Sequence, residues 1–168
     1  MPNFLDQKCG PSEVKDSVLH IEDVALYVLK LLSSSEKEVS SMKLQKICFY
    51  VQGWFAAKNG RELFVNDFQA WRLGPVSPRL YKMHAGRAVV LLDDNIIQGN
   101  VEKICESDKS FISNIVAVYG RYTGLQLSDM SHSQEPWVNA RRGVPEGSAC
   151  KNEITIESMQ SYFSKFLR

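Results

Sequence analysis

Cys48 and Ser131 are the side chains whose type could serve as nucleophiles, with His84 and His132 as bases and aspartates to orient them. Such a set would split a group transfer into two easier steps, provided the nucleophile and base lie within hydrogen-bond reach. The local frames that build these sites are absent. There is no G-x-S-x-G elbow, no H-E-x-x-H helix and no glycine-rich phosphate loop. Cys48 falls on the apolar face of a predicted helix, where a cysteine acts as a small core residue. His132 lies in a polar stretch that suits a structural or surface histidine. No residue is therefore assigned to catalysis, and the chain reads as a binding protein, not an enzyme. Cys9, Cys48, Cys105 and Cys150 are widely spaced with no C-x-x-C pair, and the three histidines are scattered, so no metal site and no cofactor are expected.

Two other groups of residues suggest recognition. Arg72, Arg79, Lys82 and Arg87 gather around a Gly-Pro corner and could face phosphates. The competing reading is a solvated helix face: Asp93 and Asp94 follow closely and the formal net charge is only +1. Trp71 beside Arg72, and Trp137 ahead of Arg141-Arg142, have the composition of interface hot spots. The alternative for both tryptophans is that they seal the core, and for the arginine pair that it holds a carboxylate within the molecule.

The elements that must position these residues follow from periodicity. The chain has 168 residues, 44% of them hydrophobic and 23% charged, which suits one globular domain without disulfides. Residues 1–18, broken by Gly10-Pro11, are expected to be an irregular lead-in to a domain over 19–168. Ile21, Val24, Ala25, Val28, Leu29 and Leu32 mark one face of a first helix, with Glu22 and Asp23 at its positive end. Ser40 or Ser41 caps a second helix, whose wide stripe of Leu44, Ile47, Cys48, Tyr50, Val51, Trp54 and Phe55 implies neighbours on several sides. Gly53 within it implies close approach by another element, and Asn59-Gly60 stops it.

Phe68, Ala70 and Trp71 fit a short strand or a helical turn. Gly74-Pro75 makes a corner, and Ser77-Pro78 opens a short helix ending by Gly86. Residues 87–106 read as a small hairpin turning at Asp94-Asn95 or as a looser helix-loop region. A helix from Asp108 is expected to close at Gly124, followed by a short polar segment from Ser128 in which Pro136 begins a helical turn. Thr155 caps a last helix with Ile156, Met159, Phe163, Phe166 and Leu167 inward. The fold class is mainly α: a single-domain helical bundle with a small β element or hairpin. No apolar run approaches the ~18 residues of a membrane span, and the N-terminus lacks the pattern of a signal peptide, so a cytoplasmic protein that binds no membrane is expected.

The segment from Met42 to Tyr81 resembles the core signature of the SocA-like Panacea antitoxin domain, also called GepA-like phage-associated proteins. The matching pieces are Lys43-Leu44-Gln45-Lys46, Tyr50-Val51-Gln52-Gly53-Trp54, Leu63-Phe64, Ala70-Trp71 and Gly74-Pro75-Val76 followed by Tyr81. A second signature agrees at Leu127-Ser128, His132, Pro136-Trp137 and Ala140-Arg141. The resemblance covers about residues 20–168. It implies a mostly helical domain with a small β element, no known enzymatic activity, and a protein that binds and neutralises a cognate toxin. It also implies, for one type, an adaptor that presents its toxin to a cytoplasmic protease. The contact residues expected are Trp71, Arg72, Arg79, Tyr81, Trp137 and Arg141. A nucleic-acid-binding regulator from a prophage or mobile element, using the basic corner, is the alternative.

Overall fold

The computed structural model describes residues 18–167, so the expected lead-in over residues 1–18 lies almost wholly outside the described residues. Helix α1 (Ile21–Leu32) forms on the predicted face. Its acidic first turn does more than meet the helix dipole. The backbone N–H of His20 donates to Asp23 at 3.0 Å, Asn100 N–H donates to the other Asp23 oxygen at 2.8 Å, and Arg79 reaches Glu22.

Helix α2 (Ser41–Asn59) is the axis of the bundle. Ser40 Oγ caps it by accepting from Lys43 N–H at 3.0 Å, and Gly60 ends it in the left-handed conformation with φ 70°. Every residue from Lys43 to Ala56 is buried. A helix covered on all sides must find internal partners for its polar side chains, because each unpaired one costs about 1–3 kcal/mol. Around it pack α1, α4 (Glu106–Tyr119), α5 (Gly124–His132) and α7 (Ile156–Ser164). The Tyr50 ring stacks on Tyr119 with centroids 4.1 Å apart, and Phe49 sits edge-on to both Phe68 and Phe163.

Two antiparallel strand pairs complete the fold. Strand β1 (Val39–Ser40) pairs with β4 (Val89–Val90). Strands β2 (Gln69–Trp71) and β3 (Gly74–Val76) form a tight hairpin with Ala70 opposite Pro75, so Trp71 lies in a strand and not in a helical turn. The outer edge of β2 is occupied as well, since Ala70 N–H donates to Asn152 O and Ile154 N–H to Phe68 O. Ser77 then caps α3 (Pro78–His84) by accepting from Leu80 N–H, with proline in its first turn as expected.

Three expectations need correction. Residues 87–106 hold no local hairpin. Val89-Val90 pairs with a strand about fifty residues earlier, and Asp94-Asn95 ends a 3-10 turn with Asn95 at φ 51°. Gly124 does not close the preceding helix. That helix ends at Gly120, and Gly124 opens α5, where a Cβ would lie 2.6 Å from Ser40 Oγ and 2.9 Å from Lys43 N. A reciprocal cap, Thr123 Oγ1 with Gln126 N–H and Gln126 Oε1 with Thr123 N–H, makes the polar stretch helical. It carries α5 and then α6 (Glu135–Ala140), with Pro136 in the first turn as expected. In α7, capped by Thr155, Met159 and Phe163 face inward, but Phe166 follows the helix end and is 37% exposed. No helix among the described residues is long and apolar enough to cross a membrane.

Candidate partner-binding face

The β2–β3 hairpin has strands of only three residues. Isolated two-stranded hairpins are marginal in water, so its order must come from outside. It comes from side chains that reach its carbonyls. Arg141 Nη1 donates to Ala70 O at 2.8 Å, Trp137 Nε1 to Trp71 O at 2.9 Å, Ser128 Oγ to Leu73 O at 2.7 Å and Lys46 Nζ to Pro75 O at 3.0 Å. Gln45 adds a two-way clasp on Ser77, accepting from its N–H at 2.9 Å and donating to its carbonyl at 3.2 Å, with His84 Nε2 3.1 Å away. Gly74 turns the corner at φ 101°, where a Cβ would sit 2.7 Å from Lys46 Cε and 2.8 Å from Ser131 Oγ. Only glycine satisfies both the left-handed backbone and that approach.

These contacts divide the expected contact residues into two groups. Trp137 and Arg141 have their polar atoms turned inward. Arg141 is 8% exposed, also donates to Ser148 O at 2.7 Å, and lies 5.0 Å from the centroid of the Trp137 ring. It holds two carbonyls, not the carboxylate weighed for it. Arg79 is clamped by both oxygens of Glu22, at 2.7 and 2.5 Å. That pairing holds the Glu22 carboxyl below its ordinary range in spite of burial and raises the arginine. Of the basic cluster, Arg79 is thus paired with Glu22 and Arg87 with Asp94 at 2.9 Å, which leaves Arg72 and Lys82 without an ion pair among the described residues.

The second group faces outward. Arg72 and Leu73 form the exposed hairpin tip, Leu73 being 46% exposed, and Tyr81 projects from α3 at 39%. The Trp71 ring, half-buried and held by its own N–H to Gln69 Oε1 at 2.8 Å, meets Tyr81 edge-on with centroids 4.9 Å apart. Met42, Trp71, Leu73 and Tyr81 wall a cleft of about 290 Å³, with Gln45, Lys46 and His84 also lining it.

The candidate nucleophiles and bases do not assemble. Cys48 is wholly buried and its thiol is pushed up by burial, the reverse of what a nucleophilic thiolate needs. Ser131 Oγ donates to Ser128 O at 2.8 Å, while the His132 ring packs on Trp137 with centroids 4.4 Å apart and its Nε2 finds no hydrogen-bond partner. His84 stands beside Gln45 and is lowered by burial.

The residues that sequence periodicity passed over are Gln45, Lys46 and Gln52, polar side chains inside a helix buried all round. Lys46 carries the clearest consequence. Burial pushes its amine down to about 7 from an ordinary 10.5. Between pH 7 and about 9 the unfolded chain therefore holds a proton that the folded chain has shed, so stability rises with pH. The rise is on the order of 2–3 kcal/mol across that window. Above about pH 9 it is opposed, because Cys48, Tyr50 and Tyr119 are raised by burial and ionise first in the unfolded chain. Lys46→Met should abolish the rise, as read by denaturant unfolding of both chains at pH 7 and 9. An equal slope in both would refute this.

Comparison with known proteins agrees with the placement of these residues. The family model described as "Antitoxin SocA-like, Panacea domain" matches residues 44–138, from the second turn of α2 through the hairpin to α6. Antitoxin SocA of Caulobacter vibrioides (strain NA1000 / CB15N) is 26% identical over 128 residues, which cover 68% of this chain and 66% of that protein, just under two thirds of its length. No solved structure matches. With the family match spanning more than half of its residues, the chain belongs to the SocA-like Panacea antitoxin family.

Proposed function

We propose that this protein is a cytoplasmic antitoxin that neutralises a cognate toxin by direct complex formation, without chemistry of its own. The observation that carries the reading is the Trp71–Tyr81 corner, where apolar side chains are left exposed on a hairpin that side chains from four directions hold rigid. A pre-ordered apolar face lowers the entropy cost of association, and a face of about 800 Å² per partner is enough for tight binding. Trp71, Arg72 and Tyr81 are the residues expected to touch the toxin. Trp137, Arg141 and Arg79 support it from behind, through the hairpin and α1. Covering the toxin's working surface suffices for inhibition, and delivery to a cytoplasmic protease would add a second partner. The nucleic-acid reading is weakened by the internal pairing of Arg79 and Arg87.

The test is growth of cells expressing the gene beside this one, with and without this chain, in hosts with and without their cytoplasmic proteases. Growth arrest by the neighbour alone, relieved by this chain in both hosts, is the expected result. Relief only in the protease-bearing host assigns the adaptor route. A harmless neighbour overturns the antitoxin reading for this copy.

A further inference from the structure

The cleft beside the hairpin is apolar in its walls and cationic in its charge. Lys46 lies along it with 1% of its surface exposed, and Arg72 stands at the tip above it. None of the residues lining the cleft is acidic. Lys46 Nζ donates to Pro75 O, a neutral carbonyl, and no carboxylate of the described residues lies within ion-pair distance of it. The other buried cation of α2 is treated differently. Lys43, 7% exposed at its side chain, meets Glu36 and the Gly120 carbonyl that ends α4. A buried ammonium is normally matched by a carboxylate. At Lys46 the bundle supplies none, and burial drives the amine toward neutrality. The cleft is near the lower end of the ~300–1,000 Å³ range of ligand pockets, a size for a side chain or two and not for a folded element.

We propose that this cleft seats an acidic residue of the partner protein flanked by apolar ones, its carboxylate meeting Lys46 and Arg72 while its neighbours pack on Trp71, Leu73 and Tyr81. This rests on the reading that the partner docks at this corner, and it names what the partner must present there. The carboxylate restores the missing counter-charge, and the aromatic walls shield the pair from water, where a charge-assisted bond gains most.

The test uses the full chain with lysine ε-carbons labelled for NMR, titrated with acetyl-Leu-Asp-Leu-amide and with acetyl-Leu-Asn-Leu-amide. The aspartyl peptide should shift the Lys46 signal and bind roughly tenfold more tightly than the asparaginyl peptide, the worth of one charge-assisted hydrogen bond. Lys46→Met should erase the preference. Because Lys46 also braces the hairpin, Arg72→Glu at the exposed tip serves as a second variant, expected to cancel or reverse the preference with the fold intact. Equal binding of the two peptides, or no movement of the Lys46 signal by either, overturns the proposal. The outcome is separable from the antitoxin reading. A chain that neutralises its toxin yet binds neither peptide loses only the cleft proposal, and a chain that discriminates the peptides beside a harmless neighbour loses only the antitoxin reading.

Discussion

Gly53→Val is expected to destabilise the protein by about 4 kcal/mol, beyond the usual cost of an added core group because no flexible neighbour can yield. A Cβ at Gly53 would fall inside the Phe163 ring, 2.5 Å from Cδ2 and closer still to Cε2. That ring is 1% exposed and hemmed by Phe49, Tyr50, Trp54 and Tyr162. Relief requires α7 to lift off α2. Even Gly53→Ala, which gains about 1 kcal/mol in helix propensity, should be net destabilising. Phe163→Ala alone opens a cavity and should cost about 3–5 kcal/mol. Combined, the two substitutions should cost less than their sum, because the new side chain fills the space the ring leaves. Urea unfolding of the four chains reads the coupling. Strict additivity would mean that α7 does not rest on Gly53.

The second large effect is at Gln52. Its Oε1 accepts from Leu63 N–H at 3.0 Å and Phe64 N–H at 3.4 Å, and its Nε2 donates to Phe64 O at 2.7 Å, all in the core. Gln52→Leu strands three backbone groups, each worth about 1–3 kcal/mol when left unpaired, and a loss of about 3–4 kcal/mol is expected. Gln52→Glu separates hydrogen bonding from shape. A protonated glutamate can accept both N–H groups and donate to Phe64 O, whereas the carboxylate keeps only the first two and carries a buried charge. Its folded pKa is therefore raised, and the stability it contributes is present below its unfolded pKa, about 4.3, and lost as pH rises through the folded one. Unfolding of Gln52→Glu relative to wild type at pH 5 and pH 8 should show a deficit at the higher pH. A pH-independent difference would contradict the assignment.

Both effects sit in residues that mark the family, and this explains what was legible in the sequence. The bundle was readable because α1, α2, α4 and α7 carry wide apolar faces and local caps: Ser40, Ser77 and Thr155 cap where their side chains predict, and Gly53 faces another helix. Helix α5 was hidden because its stop-like glycine is a packing glycine, placed for close approach to Ser40 and Lys43. Strand β4 was hidden because its partner lies far away in sequence, beyond any local pattern. The corner was visible as aromatics around Gly74-Pro75. Its division into supporting and exposed residues was not, because Arg141, Trp137 and Arg79 look as exposed in sequence as Arg72 does. Only the carbonyls and the Glu22 carboxylate that they meet distinguish them.

The central claim is that the braced corner presents Leu73 and Tyr81 to the toxin while the buried signature residues hold it in place. The direct measurement is the affinity of this chain for the toxin encoded beside it, by calorimetry, with wild type and with the Leu73→Asp, Tyr81→Ala double variant. Both side chains are exposed, so unfolding midpoints should stay within a degree or two. The account predicts a loss of at least thirtyfold in affinity, the size of a hot-spot truncation of about 2 kcal/mol or more. Unchanged affinity in a folded double variant would place the toxin on another face and contradict the account.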